Sequence, residues 1–144
     1  MSAHDFAEYL ERSLDLLARE VPQSVRRIEA ALGARGIRFD VDRDSFVLHF
    51  SGGAAHLVRT SDPVDVRLGL DRTVVCDLVA GQISLEEALM ADRLDLRAPI
   101  GSLDSFFEAL RAYLDGAVRS PSLPILFDAY RRGQPVPESA EERP

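Results

Sequence analysis

The side chains that most often carry out chemistry are few and scattered in this sequence. The three histidines are His4, His49 and His56, and Cys76 is the one cysteine. Metal sites and catalytic centres need several such groups that converge at a defined spacing. His49 and His56 fall on neighbouring predicted strands, with no cysteine or carboxylate at ligand spacing beside them. Cys76 lies among valines and leucines, which is typical of a buried small hydrophobe. We therefore expect no metal site and no cofactor.

Catalytic motifs do not appear either. The sequence has no Gly-x-Ser-x-Gly elbow, no phosphate-binding Walker loop and no Gly-x-Gly-x-x-Gly fingerprint. Glu86 and Glu87 are adjacent, so on a helix they diverge by about 100° and cannot act as a pair. One catalytic route stays open, because an apolar pocket can raise the pKa of a buried carboxylate until it serves as a general base. We name no catalytic residue and favour a protein that is not an enzyme.

Composition and charge exclude two classes of protein. The net charge is −7 and the sequence pI is about 4.9, whereas nucleic-acid binders usually carry a basic field. No apolar run approaches the roughly 20 residues that a membrane-spanning helix needs. The first residues also lack the apolar stretch of a secretory signal. We therefore expect no nucleic-acid partner, no integral membrane segment and a cytoplasmic location.

The length of 144 residues is typical of one domain. We predict a domain over residues 1–132, in which an N-terminal helical pair covers 4–34 and a core of sheet and helices covers 37–130. Residues 133–144 are rich in proline and glutamate and have little to bury. We predict that this tail is disordered.

The apolar spacing divides the chain into helical and extended segments. Up to Leu32 the apolar residues recur every three or four positions, and Pro22 separates this stretch into two helices. The spacing then changes to two, which is typical of half-buried strands and predicts an antiparallel run of four strands. Strands are predicted at 37–41, 46–50, 56–59, 64–70 and 94–98.

Four further helices are predicted around and after the last strands. The first carries Val74 to Val79, and the second begins at a capping box formed by Ser84 and Glu87. Ser102 is the expected N-cap of a larger helix, which Gly116 weakens or ends. A final short helix is predicted at 123–130. The predicted order of elements is helices, then strands, then helices with one more strand. This order is typical of an α+β fold rather than an alternating βαβ fold.

Three consecutive motifs carry a family resemblance that covers about a third of the chain. They are the strand Asp65-Val66-Arg67-Leu68-Gly69-Leu70, the helix end Leu78-Val79-Ala80-Gly81-Gln82-Ile83, and the helix-to-strand segment from Leu85 to Arg97. In this order they resemble the sterol carrier protein 2 family. The resemblance implies a curved, mostly antiparallel five-stranded sheet covered on one face by helices, with an apolar tunnel between the two layers. The N-terminal helical pair is an addition to that pattern.

The resemblance and a surplus of apolar helix faces together predict a non-catalytic carrier. We expect it to bind a lipid, fatty acyl, sterol-like or polyketide-like molecule in an apolar pocket between sheet and helices. A site for such a molecule needs a cavity of roughly 300 Å³ or more. The candidate pocket residues are Leu68, Leu78, Leu85, Leu89, Met90, Leu96, Phe106, Phe107, Leu110, Leu114, Leu126 and Phe127.

Two alternative functions remain. The same pocket could serve an enzyme or a biosynthetic accessory of the cyclase or isomerase kind. The domain could instead be an interaction module, for example a homodimer formed through its N-terminal helices.

Overall fold

The computed structural model describes residues 6–60 and 64–133, which form helices packed on a five-stranded sheet. The predicted tail from 133 to 144 lies outside these residues, apart from Gly133. The helices are α1 (Phe6–Glu20), α2 (Pro22–Leu32), α3 (Arg72–Val79), α4 (Leu85–Met90), α5 (Ile100–Arg119) and α6 (Leu123–Arg131). The strands are β1 (Ile37–Val41), β2 (Asp44–Ser51), β3 (Ala54–Val58), β4 (Val66–Leu70) and β5 (Asp95–Arg97).

The sheet has the order β3-β2-β1-β4-β5, and the predicted α+β class is confirmed. Three of its four strand pairs are antiparallel, so it is mostly antiparallel as predicted. The predicted antiparallel run of four strands is wrong at its last member, because β4 lies beside β1 and runs parallel to it. Alternation of apolar residues indicates which face of a strand is buried, but it does not identify the neighbouring strand.

In the described part of the chain, the helices cover one face of the sheet. In β1, Ile37 and Phe39 are buried while Arg38 between them points to the opposite face, and in β4 Leu68 is buried while Arg67 is exposed. This alternation is typical of a sheet with one face on the core and one in water. The core, and any cavity within it, therefore lies on the helical side.

Local capping signals define some helix ends and fail at others. The capping box of α4 is confirmed, since Ser84 Oγ accepts from the Glu87 amide at 3.0 Å and Glu87 Oε1 accepts from the Ser84 amide at 2.8 Å. The Ser102 cap of α5 is wrong. This helix begins at Ile100, because the Pro99 carbonyl already accepts from the Ser102 amide at 2.8 Å, and Ser102 is buried inside the helix. Gly116 does not end α5, which continues to Arg119.

Gly116 allows α5 and α2 to approach each other closely. A Cβ atom at this position would lie 2.7 Å from Ser24 Oγ and 2.8 Å from Ser24 Cβ, and 3.2 Å from Leu17 Cδ2. Arg27 reinforces the same helix pair through exposed ion pairs with Glu108 at 3.0 Å and Asp115 at 3.2 Å. The backbones of α2 and α5 therefore lie in close contact at Gly116.

An aromatic cluster holds α1 and α6 to the sheet. The Phe6 ring lies 5.5 Å from Phe39 and 5.9 Å from Phe46, and the Tyr9 ring stacks on Tyr130 of α6 at 4.7 Å between centroids. Ring pairs at these distances stabilise beyond the area they bury. On the other side of Tyr130, the Arg72 guanidinium lies 4.0 Å from the ring centroid.

Glu20, the last residue of α1, organises the turn between α5 and α6. Its carboxylate accepts hydrogen bonds from the Ser120 and Ser122 hydroxyls and, at 3.2 Å, from the Ser122 amide. Partial burial raises the pKa of this carboxyl, but the hydrogen bonds from both serines outweigh burial, so the pKa is lowered from its ordinary value.

We expect Gly116→Ala to lower the free energy of unfolding by about 1–3 kcal/mol, because the new methyl group overpacks the α2–α5 contact. Urea denaturation measures the effect. Gly101→Ala in the same helix is the matched control, since a Cβ there meets no atom within 4 Å, and alanine should stabilise that exposed helical position. Adding Ser24→Gly to Gly116→Ala should restore part of the loss. If the changes in the free energy of unfolding of the two single variants simply add in the double variant, the close approach of Gly116 and Ser24 is contradicted.

We expect Glu20→Gln to remove a pH-dependent part of the stability. The folded-state pKa of Glu20 lies below its unfolded value, so its stabilisation is present above the unfolded pKa and is lost as the pH falls through the folded pKa. Denaturation curves across the acid range should show a smaller acid-induced loss in Glu20→Gln than in the wild type. The exposed Glu11→Gln is the matched control, and an equal change in both variants would contradict the role of Glu20.

Candidate functional site

A cavity of about 80 Å³ lies between the sheet and the helices. Its wall comes from α1, α2, α3, α5 and the buried face of the sheet, and none of the residues that line it carries a charge. Polar atoms contribute almost nothing to this wall. Such a cavity favours an apolar guest, because water needs several polar partners to occupy a buried space.

The cavity is smaller than the roughly 300 Å³ expected of a ligand site from the sequence. Large buried rings fill much of the space, among them Phe6 from α1, Phe39 from β1 and Phe106 from α5. A lipid-sized guest therefore requires part of the wall to move outward.

Five of the twelve predicted pocket residues line this cavity. Leu68 lies on the sheet, Leu78 on α3, and the other three are one face of α5. These three are Phe106, Leu110 and Leu114.

The other seven predicted residues do not line the cavity. Met90 ends the short helix α4 and is 88% exposed, so its position there is contrary to the prediction. Leu126 and Phe127 lie on α6, which packs on α1, and Phe127 contacts the Tyr9 ring edge-on at 6.3 Å. The remaining four are packed against the core outside the cavity wall: Leu85, Leu89, Leu96 and Phe107.

The N-terminal helices supply cavity residues that the sequence analysis missed. Tyr9, Leu10 and Leu14 of α1 line the cavity, together with Ile28 and Leu32 of α2. Their spacing of three and four was visible in the sequence, but the helical pair was interpreted as an addition to the pocket fold. The same apolar periodicity in α5 was assigned to the pocket, so the missing information was where α1 packs.

A chain of hydroxyl groups joins α1 to α5 beside the cavity. Tyr113 Oη lies 3.1 Å from Tyr9 Oη and 2.9 Å from Ser13 Oγ, and Ser13 Oγ donates to the Leu10 carbonyl at 2.8 Å. Ser13 and Tyr9 are fully buried, and both tyrosines belong to the cavity wall. Burial raises the pKa of Tyr9 well above its ordinary value, with Tyr113 adding to the shift, and burial also raises the pKa of Tyr113. Both side chains are therefore neutral phenols at neutral pH.

Between α3 and α5 the cavity is lined by side chains that are partly exposed. Val79 on α3 and Leu110 and Leu114 on α5 line the cavity but are only half-buried. Nearby, Arg111 of α5 pairs with Glu86 of α4 at 2.8 Å, and both side chains are largely exposed. Exposed pairs of this kind contribute little to stability, so this side of the wall is held less firmly than the α2–α5 side.

The residues considered for metal or nucleophilic chemistry lie apart from the cavity. The His49 and His56 rings stack at 5.4 Å on the uncovered face of the sheet. Within residues 6–60 and 64–133, no group of three or more His, Cys, Asp or Glu side chains could hold a metal ion. Burial raises the pKa of the half-buried Cys76 despite the opposing effect of Arg72, so this thiol is a poor nucleophile. Among the same residues, no helix has the length and apolar character to span a bilayer.

Comparisons with known proteins agree with this geometry. The sequence model described as the SCP-2 sterol transfer family matches residues 14–110. No curated protein sequence matches the chain.

Several solved structures have a similar fold at low sequence identity. A structure described as "UbiJ-SCP2 Ubiquinone synthesis protein" is 19% identical with a TM-score of 0.57, over 78% of this chain and 91% of that one. A crystal structure of sterol carrier protein 2 is 18% identical with a TM-score of 0.53, over 76% and 95%. Sterol carrier protein domain 2 of Helicoverpa armigera is 14% identical with a TM-score of 0.54, over 75% and 87%. At these identities the likeness shows the fold.

We expect leucine substitutions at two alanines of α5 to have sharply different effects on the free energy of unfolding. Ala109 lines the cavity, so Ala109→Leu should fill empty space and leave the free energy of unfolding within about 1 kcal/mol of the wild type or higher. Ala112 is fully buried but lies outside the cavity, so Ala112→Leu should overpack the core and cost about 1–3 kcal/mol. Chemical denaturation of both variants checks this. Equal destabilisation would contradict a cavity beside Ala109.

Proposed function

The chain belongs to the SCP-2 sterol transfer family, and from this premise we propose that it binds or carries an apolar small molecule between its sheet and its helices. The observation that supports the proposal most directly is the uncharged, almost wholly apolar cavity at that position. No nucleophile, metal ligand or charged group among the described residues faces it. The proposed role is therefore carriage without catalysis.

Entry of a guest requires the wall to open, and the contacts of α5 favour opening on one side. Toward α2, the helix is held by the close approach of Gly116 to Ser24, to which the exposed Arg27 ion pairs add little. Toward α3, half-buried apolar side chains and the exposed Glu86–Arg111 pair are the visible restraints. We propose that a guest enters between α3 and α5.

The energy available to open the wall comes from the guest itself. Each Å² of apolar surface removed from water contributes about 25 cal/mol, so a guest that buries some 300 Å² gains roughly 7 kcal/mol before the costs of association. This gain has to exceed the cost of moving buried apolar side chains apart, to which the exposed Glu86–Arg111 pair adds little. We propose that the guest stabilises an enlarged cavity in this way.

A second candidate is a biosynthetic accessory that presents an apolar intermediate to an enzyme. The fold similarity to a structure described as a ubiquinone synthesis protein favours this candidate over a cyclase or isomerase. An accessory would use the same cavity, so binding measurements serve both candidates, and co-purification with an enzyme distinguishes them. The homodimer stays a prediction, and the mass of the particle in solution tests it.

We expect the delipidated protein to bind the neutral probe N-phenyl-1-naphthylamine saturably, with a rise in probe fluorescence. Ala109→Leu fills the cavity and should weaken this binding at least tenfold, whereas Met90→Ala, at an exposed position, should leave it unchanged. Titration of the three proteins provides the dissociation constants. Probe binding that does not saturate, or equal probe affinity in Ala109→Leu and the wild type, would contradict the proposed function.

A further inference from the structure

Helix α5 carries a second apolar stripe beside the face that it buries. The buried face includes Phe106 and Ala109, which pack in the core, and Gly116, which meets α2. Next to this face, apolar residues recur at alternating steps of three and four along the whole helix. These residues, the heptad stripe, are Ile100, Leu103, Phe107, Leu110, Leu114 and Ala117.

The heptad stripe is incompletely covered by the part of the chain that the structure describes. Ile100 at its start is 88% exposed, and Val118, which adjoins its end, is 85% exposed. The five residues of the stripe from Leu103 to Ala117 are half-buried. A helix that is apolar around most of its circumference is normally buried on all those sides. Steps of three and four over about five turns are the pattern that packs against a second helix.

The heptad stripe is complementary to itself when two copies of α5 run antiparallel. A two-fold axis then aligns all six residues in pairs across the interface, and each pair occurs twice because both copies use the same surface. The pairs are Ile100 with Ala117, Leu103 with Leu114, and Phe107 with Leu110 of the second copy.

The charged residues beside the stripe favour this antiparallel direction. Asp104 and Arg111 are exposed and directly follow the stripe residues Leu103 and Leu110. In the antiparallel alignment, Asp104 of each copy lies opposite Arg111 of the other, whereas a parallel alignment brings no such opposite charges together. Arg111 now pairs with Glu86 at 2.8 Å, but both side chains are largely exposed, so exchanging this partner for Asp104 costs little.

We propose that α5 is the interface of a homodimer, in which the heptad stripes of two copies pack antiparallel and shield each other from water. This interface differs from the N-terminal helices considered from the sequence. Leu110 and Leu114 of the stripe also line the cavity, so the α5 of the second copy closes the α3–α5 side of each cavity. The closure rests on the proposed carrier function, whereas the interface itself does not.

Sedimentation velocity of the full chain over a concentration series tests the interface. We expect a species of about twice the 15.9 kDa mass of one chain. Ile100→Glu places a carboxylate in the apolar interface and should weaken the dimer by about tenfold or more. The matched control is Val58→Glu, since Val58 is an exposed apolar residue on the same uncovered sheet face as His56, and it should keep the wild-type dissociation constant.

Two results would overturn the homodimer. One is the mass of a single chain at all concentrations up to about 100 μM. The other is a dimer whose dissociation constant is the same in Ile100→Glu and the wild type, because such a dimer would use another surface.

An exchange of charges tests the antiparallel direction. Asp104→Arg should weaken the dimer several-fold, because the new guanidinium faces Arg111 of the second copy. Adding Arg111→Asp should recover most of the affinity, since opposite charges then face each other again. Asp15→Arg, at an exposed position of α1, changes the net charge equally and should have no effect. A double variant that dimerises no better than Asp104→Arg would overturn this direction.

Release of the bound probe tests the closure of the cavity. Transfer of N-phenyl-1-naphthylamine to an excess of β-cyclodextrin should slow several-fold as the protein concentration rises through the dimer dissociation constant. In Ile100→Glu the release rate should stay that of the dilute wild type. A rate that does not change with concentration would overturn the closure and leave the dimer intact, whereas failure of the probe to bind would contradict the carrier function.

Discussion

The cavity depends on one constraint: a sheet with a single buried face must be covered by helices from distant parts of the chain. Residues of α1, α2, α3 and α5 all contribute to the cavity wall over this face. α1 is held in place by the Tyr9–Tyr130 stack and by the Glu20 carboxylate at the α5–α6 turn. Since the four helices surround one space, the position of each determines the shape of the cavity.

The packing of the helices differs from one side of the cavity to the other. Between α2 and α5 the backbones approach so closely that a methyl group has no room, whereas between α3 and α5 the lining side chains are half-buried. A packed interior does not deform continuously, so expansion follows the contact that is easiest to separate. A guest that binds the folded protein stabilises it by an amount that grows with the logarithm of the ratio of guest concentration to dissociation constant.

The sequence predicted features that depend on neighbouring residues and missed those that depend on packing. The α4 capping box is formed by residues three apart, and the buried faces of β1 and β4 follow from simple alternation. The partner of β4 was not predictable in this way, because the pairing joins strands separated by a hairpin.

The candidate site shows the same division. Leu68 was predicted from a family motif, and the α5 face was predicted from its surplus of apolar side chains. Leu126 and Phe127 were assigned to the cavity for the same surplus of apolar side chains, yet α6 packs against α1 and these two residues do not line the cavity. The hydroxyl chain was invisible in the sequence, since Tyr9 and Tyr113 are 104 positions apart and only the packing of α1 on α5 brings them together.

The contacts that join α1 to α5 and α6 also affect how the protein emerges from the ribosome. Tyr9 cannot meet Tyr113, and Glu20 cannot meet Ser122, until more than 100 further residues have been synthesised. During that interval the apolar faces of α1, α2 and the sheet lack the cover of α5 and α6, and such transiently exposed apolar surface favours aggregation. A hydrophobic compound that meets the chain at this stage would be enclosed as α5 arrives, without any need for the finished wall to open.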